Sequence, residues 1–303
     1  MQWAVRHCGD TERKYLRALP GPPEQYTFSR CACAPEPVPE WLPADAAHLT
    51  GERFVYVNMR KAGSSAASAL LSEFYGARVC GVHNLESSYV PWRDNRQGKR
   101  LVIGSCRNPW DQYVSLWAFG VERNGVLASH RKSWGLRYGK DLEDASAFRS
   151  WLKQLLVRKP RNKAPKKLRK MREHDMGLVT QRYIDTYFFG DYAGQLAAAH
   201  GFDGVVDVWL EADAAHPLAL PTALAAALER VGVRCEDNVT RCGQSPKPGQ
   251  KDELVNASSH PPWQTMYDER SLCLVQHKDR WLLAKLNYSL QVPEERCRQL
   301  LGL

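Results

Sequence analysis

The sequence predicts an α/β layer fold with a central, mainly parallel sheet flanked by helices. Two observations carry this. Short β-branched and aromatic runs recur at Arg53-Phe54-Val55-Tyr56-Val57-Asn58, Arg78-Val79-Cys80, Leu101-Val102-Ile103-Gly104 and Gly204-Val205-Val206-Asp207-Val208-Trp209-Leu210. Helical patterns stand between and after them, from Ser64 to Tyr75, from Asn108 onward, from Leu218 to Val231 and from Asp268 to Leu286. Strands alternating with helices imply parallel strands joined by helical crossovers. In such sheets ligands bind at the carboxyl ends of the strands.

Each element has a local reason. The β-branched and aromatic run at Phe54 is typical of a buried strand, and Leu101-Val102-Ile103-Gly104 reads as another strand. Small residues after Gly63 open the first helix. The second helix has explicit start chemistry: Asn108 serves as N-cap, Pro109 fits the first helical position, and Asp111 lies in the first turn, near the positive end of the helix dipole. Residues 1–50 are proline-rich, from Pro20-Gly21-Pro22-Pro23 through Pro43, and read as an irregular arm. Residues 51–303 then form one domain with a basic insert at about 153–174.

Composition excludes several classes. At 303 residues, with 44% hydrophobic and 25% charged residues, the chain is not a disordered polymer. It has no apolar run long enough for a membrane span, and the charged residues from Arg6 to Arg17 leave no room for the apolar core of a signal peptide. The net charge of +9 is concentrated: ten basic residues and no acid lie between Lys153 and Arg172. Elsewhere the chain is near neutral, which argues for one local anionic partner and against a broad nucleic-acid-binding face. Pro160 and Pro165 interrupt the cluster, and a solvated loop is the plainer alternative. The nine cysteines show no CxxC pairing and no zinc-type cluster. They read mostly as reduced, partly buried thiols, with Cys235 and Cys242 the one local pair suited to a disulfide. Sequons at Asn238, Asn256 and Asn287 matter only in a secretory compartment.

Two motifs carry chemistry. In Arg60-Lys61-Ala62-Gly63-Ser64-Ser65 a strand turns directly into a helix. Gly63 permits an unusual turn, and the N–H groups of Ser64, Ser65 and Ala66 form a nest for an anion, with Lys61 adding a point charge. A Ser-capped helix with a surface lysine is the alternative. The lysine precedes the glycine, so this is not the Walker pattern, and ATP-dependent kinase chemistry is poorly supported. In Ser105-Cys106-Arg107-Asn108-Pro109-Trp110-Asp111-Gln112-Tyr113-Val114-Ser115, Arg107 ends a strand and Ser115 lies two helical turns on. Guanidinium and hydroxyl there could grip a second phosphate. The alternative is an arginine paired with Asp111.

Together these motifs resemble the sulfotransferase superfamily that uses 3′-phosphoadenosine 5′-phosphosulfate (PAPS), and within it the carbohydrate type, including the glycosaminoglycan 2-O enzymes. Val179-Thr180-Gln181-Arg182-Tyr183, the strand ending at Glu211, Leu254-Val255-Asn256-Ala257-Ser258 and the segment from Tyr267 to Tyr288 extend the resemblance over roughly Arg53 to Ser289. The sequence departs from the family at Met59-Arg60, Ala62 and Ser64. The resemblance implies a P-loop-like three-layer fold and in-line transfer of a sulfuryl group from PAPS to a carbohydrate hydroxyl, leaving 3′,5′-adenosine diphosphate. It implies Arg60, Lys61, Ala62, Gly63, Ser64 and Ser65 at the 5′-phosphosulfate, Arg107 and Ser115 at the 3′-phosphate, and Lys61 also at the leaving oxygen. His83 lies 24 residues before Arg107, near where the 2-O type carries its catalytic histidine. Glu86 is the alternative base and His174 a weaker one. Lys247 and Lys251 could close over the 3′-phosphate, and Trp110 could stack on adenine or pack in the core. Lys166, Lys167, Arg169 and Lys170 would gather an anionic glycan. No metal is required. The competing readings are an inactive nucleotide- or glycan-binding relative and a transferase for a non-carbohydrate hydroxyl compound. The sequence as it stands suggests the cytoplasm; the Golgi lumen would apply if an anchor precedes it.

Overall fold

The computed structural model describes residues 48–50, 53–57, 59, 61–64, 67, 70–71, 75, 78–80, 101–122, 136, 138–157, 171, 173–187, 206–211, 219–233 and 260–303. The strands are β1 (His48–Thr50), β2 (Phe54–Val57), β3 (Arg78–Cys80), β4 (Leu101–Cys106) and β5 (Val208–Glu211). The helices are α1 (Pro109–Glu122), α2 (Ala145–Leu156), α3 (Leu178–Tyr187), α4 (Ala219–Glu229), α5 (Trp263–Met266), α6 (Glu269–Lys278), α7 (Arg280–Lys285) and α8 (Glu294–Leu301). Residues 64, 67, 70 and 71 are also helical. Among the described residues no helix is long and apolar enough to cross a membrane.

The sheet runs β3-β1-β2-β4-β5. β2 pairs parallel with β4, from Phe54↔Leu101 to Val57↔Gly104, and β4 parallel with β5, from Ile103↔Val208 to Cys106↔Glu211. β1 pairs antiparallel with both β2 and β3. β3 therefore points the same way as β2, and one reversed strand sits inside an otherwise parallel sheet. That reversed strand lies at the end of the segment expected to be an irregular arm. His48-Leu49-Thr50 is only three residues long and follows a proline-rich stretch, so it has too little pattern of its own to read as a strand.

Helices cover both faces. Side chains alternate along a strand with period two. Val55, Val57, Val102 and Cys106 accordingly join a core with residues of α1, α2, α3, α6 and α7. Phe54, Tyr56, Leu101 and Ile103 join a second core with Leu70, Leu71 and α4. β2 and β4 are buried along their whole length, which explains their uninterrupted apolar runs. The expected start of α1 is present: Asn108 Oδ1 accepts from the Trp110 N–H at 3.0 Å. Every residue from Pro109 to Ala118 is buried, so α1 is a central helix.

The cysteine reading needs one correction. Cys273 and Cys297 form a disulfide between α6 and α8, within a small apolar cluster with Val292. They are 24 residues apart, and only the packing of the two helices brings them together. Cys106 is a free, buried thiol. Cys235 and Cys242 lie outside the described residues.

Candidate functional site

The two motifs follow adjacent parallel strands, so both emerge at the same carboxyl edge of the sheet. After β2 the chain turns through Lys61 at φ 61° and Gly63 at φ 73°. Gly63 takes this left-handed conformation without steric cost. Lys61 does not, and a held non-glycine residue of this kind stores about 1–3 kcal/mol. The turn closes with Ala62 N–H to Met59 O at 3.3 Å, and the helix begins with Ala67 N–H to Gly63 O at 3.0 Å. Ala62 and Ser64 are buried at the helix entry. The Lys61 ammonium sits 4.3 Å from the centroid of the Phe119 ring, so α1 steers the lysine from below.

Arg107 links the motifs. Its Nη1 donates to the Lys61 carbonyl at 3.1 Å and its Nε to Asp111 Oδ2 at 2.6 Å. The pairing with Asp111 is the one the plainer sequence reading expected. Nη2 stands 3.2 Å from His260 Nε2. The guanidinium carries five N–H groups. Among the described residues three of them meet protein acceptors, and the other two have no acceptor there. The side chain is 12% exposed, enough for contact from the edge of the sheet. Ser115 lies one turn beyond Asp111 on α1 and is buried.

The end of β4 is held by α3. Among the described residues the β2 ladder ends at Val57↔Gly104, and no strand partner of Ser105 on that side is among them. The Tyr187 hydroxyl bonds both main-chain groups of Ser105, accepting from its N–H at 3.0 Å and donating to its O at 2.9 Å. Gly104 makes room for it: a Cβ there would meet Trp209, Val206 and Tyr187 at 3.0–3.1 Å. The Tyr183 hydroxyl accepts from the Arg107 N–H at 3.1 Å. Burial pushes both phenols well above their ordinary range, so they stay protonated.

The start of α3 is fixed by Asp279, which is fully buried between α6 and α7. It accepts from Thr180 N–H at 2.8 Å, Thr180 Oγ1 at 2.7 Å and Tyr113 Oη at 2.8 Å. Burial outweighs these donors and raises the carboxyl to about 6. Gly177 lets the two segments approach, since a Cβ there would lie 2.2 Å from Asp279 Oδ2.

Of the residues singled out from sequence, Lys61, Ala62, Gly63 and Arg107 follow the neighbouring strand ends, Ser64 opens the helix after the Lys61 turn, and Ser115 is buried within α1. Arg60, Ser65, His83, Glu86, Lys166, Lys167, Arg169, Lys170, Lys247 and Lys251 lie outside the described residues. His174 sits in the turn before α3. Trp110 is fully buried, donates to Leu272 O at 3.3 Å and stacks on Trp263 at 5.8 Å, so it packs in the core. His260 does not stand out in the sequence. The available signal is Pro261-Pro262, which stiffens the backbone behind it, but nothing local says what the imidazole faces.

No family model, curated protein or solved structure matches this chain. The case for its function therefore rests on the residues themselves.

Proposed function

We propose that this chain is a PAPS-dependent O-sulfotransferase of the carbohydrate type, with a P-loop-like arrangement at the sheet edge. The observation that carries the reading is the 3.1 Å bond from Arg107 to the Lys61 carbonyl. It ties together two motifs suited to the two phosphate groups of one nucleotide, 46 residues apart in the chain. The residues fit such a group: two cations on neighbouring strand ends, a left-handed turn opening a helix, and two guanidinium N–H groups that meet no acceptor among the described residues.

When bound, PAPS supplies the sulfuryl group and leaves as 3′,5′-adenosine diphosphate. In this reading Arg107 and Ser115 grip the 3′-phosphate, while Arg60 to Ser65 hold the 5′ side. Lys61 stabilises negative charge on the leaving oxygen, where a cation does most in a dry site. His83 or Glu86 takes the proton of the acceptor hydroxyl. Lys247 and Lys251 close over the nucleotide, and Lys166, Lys167, Arg169 and Lys170 gather an anionic glycan. The Cys273–Cys297 disulfide favours an oxidising compartment, hence the Golgi lumen over the cytoplasm.

Calorimetric titration tests the nucleotide site. Wild-type protein should bind 3′,5′-adenosine diphosphate more tightly than 5′-AMP. Arg107→Ala should lose roughly 1.5–3 kcal/mol of that binding, a factor of about ten or more, and with it the discrimination. Equal wild-type affinity for the two nucleotides would refute the 3′-phosphate assignment. Transfer of labelled sulfate from PAPS to a glycosaminoglycan, against a neutral sugar and a simple phenol, then identifies the acceptor class.

A further inference from the structure

His260 is held against Arg107 by the fold. Pro261 and Pro262 restrict the backbone that follows it. Trp263 stacks on Trp110, which clamps α5 to the start of α1. The imidazole Nδ1 lies 2.9 Å from the Pro261 carbonyl, and Nε2 lies 3.2 Å from Arg107 Nη2. A carbonyl only accepts and a guanidinium only donates. The proton is therefore on Nδ1, the Nε2 lone pair accepts from Arg107, and the ring is neutral.

Among the described residues, the charged groups whose fields act on the ring come from three elements: Arg107 at the end of β4, which touches it, Asp111 on α1 and Lys61 in the turn after β2. Burial lowers the ring's proton affinity first; the Pro261 carbonyl raises it, Arg107 lowers it, Asp111 raises it and Lys61 lowers it. An imidazolium here would set N–H against N–H. A phosphate placed between His260 and Arg107 reverses that balance, because it adds acceptor oxygens and negative charge where a second donor is wanted.

We propose that His260 is a second ligand to the phosphate seated on Arg107 and takes up a proton as that phosphate binds. The inference rests on reading Arg107 as the 3′-phosphate residue. One proton passes from the buffer to Nε2. The Nη2–H···Nε2 bond is lost, and an N–H···O bond from each residue to the phosphate replaces it; no covalent bond changes between heavy atoms. The consequence is a nucleotide site that tightens as pH falls.

The test is titration of the full chain with 3′,5′-adenosine diphosphate between pH 6 and 8, in buffers of different ionisation enthalpy. Wild type is compared with His260→Gln, whose amide oxygen can still accept from Arg107 but cannot take a proton. The second ionisation of the phosphates, near pH 6, is common to both proteins and cancels in the comparison. Wild type should take up more protons at pH 7, and its affinity should fall more steeply with pH, by up to about tenfold per unit for one linked proton. Equal uptake and equal slopes overturn the inference and leave the nucleotide site standing. Absence of any binding by wild type overturns both. Imidazole nitrogen NMR of the wild type follows the same proton without a variant. The His260 signals should move from the neutral to the charged pattern on adding nucleotide; if they stay neutral in the saturated protein, the inference fails.

Discussion

The Tyr183 hydroxyl holds the main-chain N–H of Arg107 at 3.1 Å, so a helix 76 residues further along the chain sets where the guanidinium starts. Tyr183→Phe keeps the ring's packing but leaves a buried N–H without its acceptor. The expected cost is about 1–3 kcal/mol in denaturant unfolding, together with a several-fold weaker affinity for 3′,5′-adenosine diphosphate. Unchanged nucleotide affinity alongside the stability loss would show that this bond serves the fold and not the site.

Lys61 offers a separate test. If its ammonium meets charge that develops only during transfer, Lys61→Ala lowers kcat more than it weakens PAPS binding. A loss confined to KM would mean that the lysine binds donor and transition state equally. Under the same assay His83→Ala should abolish turnover with nucleotide affinity nearly intact. Activity retained there but lost in Glu86→Ala assigns the base to Glu86.

Asp279 links the scaffold to pH. Its folded-state value of about 6 lies above the ordinary 3.8, so the folded state binds the extra proton. Its contribution to stability is full below about pH 4 and is lost as pH rises through about 6, a change of about 3 kcal/mol. Asp279→Asn can keep the bonds from Thr180 and reverse the one with Tyr113, and it cannot ionise. The stability difference between wild type and this variant should therefore shift against wild type from pH 4 to 7. A difference that stays constant across that range would place the Asp279 pKa at its unfolded value.

The basic insert makes an ionic-strength prediction. Exposed charges act through a field screened over about 8 Å at physiological salt. Reversing Lys166, Lys167, Arg169 and Lys170 to Glu should raise KM for an anionic acceptor, most strongly at low salt, with PAPS affinity and Tm nearly unchanged. The same acceptor KM as wild type at both salt concentrations would make the insert a solvated surface feature and turn attention to a neutral acceptor.

Local chemistry alone determined a good deal of this protein. The apolar runs at Phe54 and Leu101 read as strands and Asn108-Pro109 as a helix start from their residues alone; the burial of both strands along their whole length is what the structure added. The order of strand, turn and helix brought Lys61 and Arg107 to one sheet edge, because parallel neighbours point their carboxyl ends the same way. Long-range pairings were invisible at that level. The reversed strand β1 is too short to announce itself and exists because β2 and β3 flank it. Cys273 finds Cys297 only after α6 and α8 pack. His260 meets Arg107 across 153 residues, and Asp279 reaches Thr180 across 99. Such contacts depend on where helices cross and which side chains lose water together. No periodicity or spacing records that, and it is decided only when the two cores close on the sheet.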